Sequence, residues 1–225
     1  MPNFHVAIDG PAGSGKSTIS KRVAEELNLI HIDTGAMYRA ITYVALKEGI
    51  DLDDEQAYDF VEMVKINYTN DKIYANGEDV TEKIRSDKVT KNVSKVSSFP
   101  TVRKHLVKIQ KQAANGKNVI MDGRDIGSVV LVDADLKIFL TANVEERAKR
   151  RMLELHQKGL EIDLLTVIKD IEMRDLKDST RKASPLIIPK DAIIVDTTDY
   201  SIEDTVQVII NEIVKKETYH GKREK

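Results

Sequence analysis

Cysteine is absent from this chain of 225 residues, which excludes disulfide frameworks and thiolate metal sites. An excess of charge of either sign is missing too. The 35 Lys and Arg face 37 Asp and Glu, for a formal net charge of −2. Such a balance gives no support for binding a nucleic-acid polymer or a membrane surface. No apolar run approaches the roughly 18 residues of a membrane span. The first glycine loop begins within ten residues of the start, which leaves no room for a signal peptide. The expectation is a cytoplasmic protein, with neither membrane nor nucleic-acid polymer as partner. Internal repeats and low-complexity tracts are also lacking, and the length suggests one domain with a mobile sub-domain.

Glycine is sparse, with 11 residues, yet three of them fall in "AIDGPAGSGKSTISKR", Ala7 to Arg22. Gly10, Gly13 and Gly15 allow backbone angles closed to other residues, so successive N–H groups can turn inward around an anion. Lys16 adds a mobile positive charge for the outer phosphates, and the Ser17 hydroxyl suits magnesium. A helix starting near Ser17 adds the positive end of its dipole. The context fits. "FHVAI" before the loop is rich in strand formers, and Ile19, Val23 and Leu27 after it recur at helical spacing. The motif reads as a phosphate cradle.

Five short apolar runs read as strands, at 4–8, 29–32, 118–121, 136–141 and 192–196. Helical patterns lie near 17–27, 36–49, 53–65, 81–97, 100–115, 143–158, 162–178 and 201–216. Apolar runs separated by helices predict a parallel sheet covered on both faces, an α/β fold. Ligands on such sheets collect at the carboxyl ends of the strands, where Asp9, Asp33 and Asp122 each follow an apolar run. One segment breaks the alternation. "VKINYTNDKIYANGEDV", 64–80, alternates apolar and polar residues and carries Asn70-Asp71 and Asn76-Gly77 turn signals, which predicts a small inserted hairpin. The closing "KKETYHGKREK" is polar and basic and reads as frayed.

Other constellations carry charge. In "DTGAMYRA" Thr34 is placed to cap the next helix, with Gly35 easing the turn, and Arg39 either belongs to that helix alone or reaches a second phosphate. In "VIMDGRDIGSVV" Asp122 ends a strand as a Walker-B carboxylate does, and Gly123 permits close backbone approach. Arg124 suits a phosphate and Asp125 an amino group, unless the two form a salt-bridged loop. "EERAKRRM" puts Arg147, Arg150 and Arg151 on one helical face, and "MRDLKDSTRKASP" does the same for Arg174, Asp178 and Arg181. Such faces are either solvated or built for the spread charge of a transferring phosphoryl group.

Taken together, "GPAGSGKST", "DTGAMYR", "SFPTVR", "DGRDIGSVV" and "RDLKDSTRKASPL" occur in the order and spacing of the bacterial cytidylate (CMP/dCMP) kinases, which belong to the nucleoside monophosphate kinases. The resemblance runs from about residue 5 to 213. It implies a single P-loop kinase domain with a five-stranded parallel sheet, an inserted monophosphate-binding lobe containing the hairpin, and a short lid. The core would span about 1–35, 100–150 and 185–216, the lobe about 36–99 and the lid about 151–184. It implies transfer of the γ-phosphoryl of ATP, with Mg2+, to CMP or dCMP, by a protein expected to be a monomer. Gly10, Pro11, Ala12, Gly13, Ser14, Gly15, Lys16, Ser17 and Thr18 would hold the ATP phosphates, with Arg147 and Arg151 on the lid or adenine side. Arg39, Arg124 and Arg181 resemble the clamps on the acceptor phosphate, and Arg174 and Asp178 the pair at the sugar. Ser94, Arg103 and Asp125 match the residues that read cytosine, with Thr34 and Tyr38 nearby. Ser17 would meet the metal, and Asp33 or Asp122 would act through water.

The cytosine assignment has its own chemistry. Cytosine carries an N4 amino donor that a carboxylate accepts, whereas uracil offers an O4 acceptor at that place. Two rivals stay open at this stage: another P-loop kinase, for a different nucleotide or a small acceptor such as shikimate, and a nucleotide-dependent switch. A guanine-reading Asn-Lys-x-Asp motif is absent from the chain.

Overall fold

The computed structural model describes residues 3–69, 72–157 and 159–223. Along the chain the elements are β1 (His5–Asp9), α1 (Lys16–Leu27), β2 (Ile30–Asp33), α2 (Thr34–Lys47), β3 (Ile66–Thr69), β4 (Lys72–Ala75), β5 (Glu78–Asp79), α3 (Asp87–Val96), α4 (Pro100–Ala114), β6 (Val119–Gly123), β7 (Leu136–Thr141), α5 (Val144–Gln157), α6 (Leu164–Thr180), β8 (Ile193–Asp196) and α7 (Ile202–Arg223). The chain divides into two units, one of Met1–Ile32, Ala114–Thr180 and Ser184–Lys225, the other of Asp33–Ala113 and Arg181–Ala183.

The first unit is built on a five-stranded parallel sheet in the order β2-β6-β1-β7-β8. β1 lies at its centre, with Val6 beside Ile120 on one flank and Leu136 on the other. Val6 through Asp9 are all buried, which is why the run shows no polar alternation. The five expected strands are these five, displaced by no more than two residues. One face is closed by Ile19 and Val23 of α1 and by Val206, Ile209 and Ile213 of α7, packed with Val6, Ile8, Ile138 and Leu140. Ser201 starts α7 with a reciprocal cap: its hydroxyl accepts the Asp204 N–H, and the Asp204 carboxylate accepts the Ser201 N–H, both at 3.1 Å. The helix then runs to Arg223, so the closing segment expected to fray is helical as far as that residue. A smaller cluster of Ala148, Val167 and Ile171 joins α5 to α6.

The second unit departs from expectation in three places, each for a local reason. The pattern over 53–65 folds as a 3-10 helix, Glu55–Met63, because its buried residues Tyr58 and Val61 are three apart, the 3-10 period. The pattern over 81–97 is interrupted: a 3-10 turn, Lys83–Arg85, ends at Ser86, whose extended backbone (φ −63°, ψ 156°) starts α3. The inserted hairpin is a three-stranded antiparallel sheet, β3-β4-β5. Asn76 and Gly77 make its second turn with φ of 51° and 84°, the positive pair that a tight two-residue turn requires. The Asn70-Asp71 turn signal lies outside the described residues. Among the described residues, no helix is long and apolar enough to cross a membrane.

Candidate active site

The glycine loop joins the end of β1 to the start of α1, and two of its glycines are sterically obligatory. A Cβ on Gly10 would stand 2.0 Å from the Leu140 carbonyl oxygen. Gly15 precedes α1 with φ 86° in the left-handed region, where a side chain is strained. Among the described residues, the first turn of α1 has no acidic residue of its own and no side-chain cap, so its amides and dipole are left for the loop side. At α2 the opposite holds: the Asp33 carboxylate accepts the Ala36 N–H at 3.0 Å. Asp33 therefore caps that helix, in place of the expected Thr34, because the residue before the first helical one supplies the cap. Ser14 and Lys16 fold inward on the loop, Lys16 Nζ donating to the Pro11 carbonyl at 2.7 Å and to Ser14 Oγ at 3.2 Å. Burial pushes the Lys16 ammonium well below its ordinary pKa, and the cations Arg124 and Arg174 add to this. Thr18 lies exposed in the first turn of α1.

At the mouth of β6, the Ser17 hydroxyl donates to Asp122 Oδ2 at 2.7 Å, and His31 Nε2 lies 2.7 Å from Asp122 Oδ1. A hydroxyl against a carboxylate is a hard-oxygen donor set that suits magnesium, which takes one or two protein ligands and otherwise keeps water and substrate phosphates. No group of three or more His, Asp or Glu placed to hold a metal occurs among the described residues.

Asp9, at the end of β1 and in register with Gly123, accepts the N–H groups of Ile126 and Gly127, each at 2.8 Å. It thereby fixes the π-helical turn Ile126–Val130 that follows Arg124 and Asp125. Burial lifts its pKa from 3.8 to about 6, against those two hydrogen bonds. A folded-state pKa raised in this way stabilises the fold fully below about pH 3.8, and that contribution is lost as pH rises through 6. The shift corresponds to about 3 kcal/mol. Asp9→Asn should remove this slope. In denaturant titrations from pH 4 to 7, the stability of the parent relative to the variant is expected to fall with rising pH, and parallel curves would refute the assignment.

The arginines of this unit fall into different settings. Arg124 Nε pairs with Asp178 at 2.8 Å, and its Nη1 reaches the Gly123 carbonyl at 3.3 Å. Asp125 is buried in the same turn. Arg174 shares α6 with Asp178 and acts electrostatically on Lys16. Arg147 is buried and donates to the carbonyls of Ala142 and Ala12, both at 2.9 Å, and to Asp175. Arg150 binds Thr197, and Arg151 forms an exposed pair with Glu154. The three guanidiniums of α5 thus serve three different partners.

In the second unit, Arg39 donates to Thr90 Oγ1 at 2.9 Å, linking α2 to α3. The Arg103 guanidinium stands over the Tyr38 ring at 5.2 Å and donates to the Ser97 carbonyl at 2.9 Å. Ser97 Oγ in turn bonds the Ser94 carbonyl. The Ser94 hydroxyl is shielded from solvent and has no hydrogen-bond partner among the described residues. Thr34 is buried at the start of α2, and Arg181 belongs to this unit.

Three residues with prominent contacts were not singled out for them from the sequence. Asp9 and His31 left signals, an acid and an imidazole in otherwise apolar strands. Asp175 left none, being one acid among several on α6.

The family model described as "Cytidylate kinase" matches residues 6–215. The cytidylate kinase of Acholeplasma laidlawii is 56% identical over 93% of this chain and 95% of its own. That of Leuconostoc mesenteroides is 52% identical over 94% and 96%. A crystal structure of an uncharacterized protein from Eubacterium ventriosum, 14% identical, shares the fold with a TM-score of 0.51 over 94% of this chain and 98% of that one. With a phosphate loop at the head of a parallel sheet and relatives matched over nearly their whole length, the chain belongs to the cytidylate kinase family.

Proposed function

We propose that the chain transfers the γ-phosphoryl group of ATP to the 5′-phosphate of CMP or dCMP, giving ADP and CDP or dCDP. The observation that carries this is the donor loop itself, with Lys16 folded into it and Ser17 set 2.7 Å from Asp122, in a chain of this family. An ATP-coupled assay across CMP, dCMP, UMP, AMP and GMP tests it. Turnover is expected to be strongest with CMP and dCMP. A preference for AMP, or ATP hydrolysis indifferent to acceptor, overturns the reading.

The acceptor phosphate oxygen is already a nucleophile at neutral pH, so no covalent enzyme intermediate and no dedicated base are needed. The protein aligns the two nucleotides, neutralises charge and excludes water. The donor phosphates lie along residues 10–18, and their negative charge restores the Lys16 ammonium that burial disfavours. Ser17 would hold Mg2+, with Asp122 or Asp33 acting through water, and the ion would supply positive charge to the donor phosphates. Arg39, Arg124 and Arg181 grip the acceptor phosphate, Arg174 and Asp178 its sugar, and Arg147 and Arg151 serve the donor side. Residues 36–99 form the acceptor lobe and 151–184 the lid, acting in a cytoplasmic monomer.

Cytosine is read by Ser94, Arg103 and Asp125, with Thr34 and Tyr38 beside it. The unpartnered Ser94 hydroxyl and the buried Asp125 support this. A uracil O4 against the Asp125 carboxylate would leave acceptors unpaired, at a cost of about 1–3 kcal/mol each, enough for a preference of tens-fold. Asp125→Ala is expected to narrow the ratio of kcat/KM for CMP over UMP by about that factor. An unchanged ratio would refute the role.

A further inference from the structure

One carboxylate is left without a task by the mechanism above. Asp175, partly buried on α6, accepts the N–H of Ala12 on Oδ1 at 3.0 Å and Arg147 Nη1 on Oδ2 at 2.5 Å. The same Arg147 nitrogen donates to the Ala12 carbonyl at 2.9 Å. Both backbone groups of a single loop residue are thus held from outside the loop, the N–H by α6 and the C=O by α5. The two helices are themselves locked by Ala148, Val167 and Ile171. An acid beside a phosphate cradle repels its ligand unless it is neutralised, and Arg147 provides that neutralisation. Its neighbour Arg174 and the next turn's Asp178 are the sugar-side residues proposed above.

We infer that Asp175 is a positioning residue, one that fixes the donor loop at Ala12 from the helix carrying Arg174 and Asp178, so that donor-side geometry depends on α6. The inference rests on the phosphoryl-transfer reading. It predicts an asymmetric defect. In Asp175→Ala the KM for ATP should rise about tenfold, as expected for one lost charge-assisted hydrogen bond, and ADP binding measured by calorimetry should weaken by the same factor. The KM for CMP should stay within about twofold, since no acceptor contact is removed. Asp175→Asn, which keeps an oxygen for the Ala12 N–H, should recover most of the ATP affinity. A purely structural role predicts instead a lower Tm with both KM values rising together and no recovery in Asn, and that result overturns the inference. So does an unchanged ATP KM in folded Asp175→Ala. Should the alanine variant fail to fold, Asp175→Ser replaces it: a raised ATP KM at constant CMP KM supports the inference, and unchanged values overturn it. A parent enzyme inactive on CMP would overturn the function instead, leaving the ADP-binding comparison to decide on Asp175 alone.

Discussion

Replacing Lys16 with alanine is expected to lower phosphoryl transfer by about 10³-fold, the scale on which a preorganised charge at the reacting group acts, while the fold persists. The reasons lie in one side chain. Its ammonium is buried and hydrogen-bonded to the loop's own Pro11 and Ser14 oxygens, in a setting where burial and the neighbouring Arg124 oppose its charge. Removing such a group relieves an electrostatic cost in the free protein. It withdraws the only lysine of the loop from the nucleotide-bound one. Coupled turnover and thermal unfolding of the same preparation check both halves. Near-normal turnover refutes the catalytic role, and an unfolded variant refutes the electrostatic one.

Arg124→Ala should be costly in two separable ways. Burial would lower the Arg124 pKa, yet Asp178 at 2.8 Å holds the guanidinium above its ordinary value. Truncation leaves the buried Asp178 carboxylate without this partner, a change that costs about 3–5 kcal/mol in buried pairs. On the proposed reading of Arg124 as an acceptor-phosphate clamp, transfer should fall about 10²-fold or more, because its positive charge is lost. The double variant Arg124→Ala/Asp178→Asn distinguishes the effects. Stability should largely return, because the uncompensated charge is gone, while activity stays low. A double variant that recovers turnover would show that Arg124 serves only to neutralise Asp178.

The contrast between the two arginine-rich helices shows where reading a sequence stops. Spacing alone puts Arg147, Arg150 and Arg151 on one helical face, and the helix is there. Yet Arg147 turns to the donor loop, Arg150 to Thr197 and Arg151 to an exposed Glu154. Periodicity specifies a direction from the helix axis to within a turn, but a guanidinium on a long, flexible stem reaches whichever acceptor the neighbouring elements supply. The same holds for Asp9. Its place at the end of an apolar strand is plain in the sequence, but its two amide donors come from residues 117 and 118 positions away.

The strands, the glycine loop and the flanking helices were written locally, because burial on both faces of the central β1, β6 and β7 demands unbroken apolar runs and a phosphate loop demands glycine at fixed spacing. Local writing failed where the period was short or interrupted, at Tyr58 and Val61 and at Ser86. The chemistry class followed from five motifs spread over most of the chain. What the tertiary structure alone decided is which charge meets which: Asp122 with Ser17 and His31, Asp178 with Arg124, Asp175 with Ala12 and Arg147. Those pairings join residues far apart in the chain, and only the packing of strands and helices sets their distances, on which the strength of each charge interaction depends.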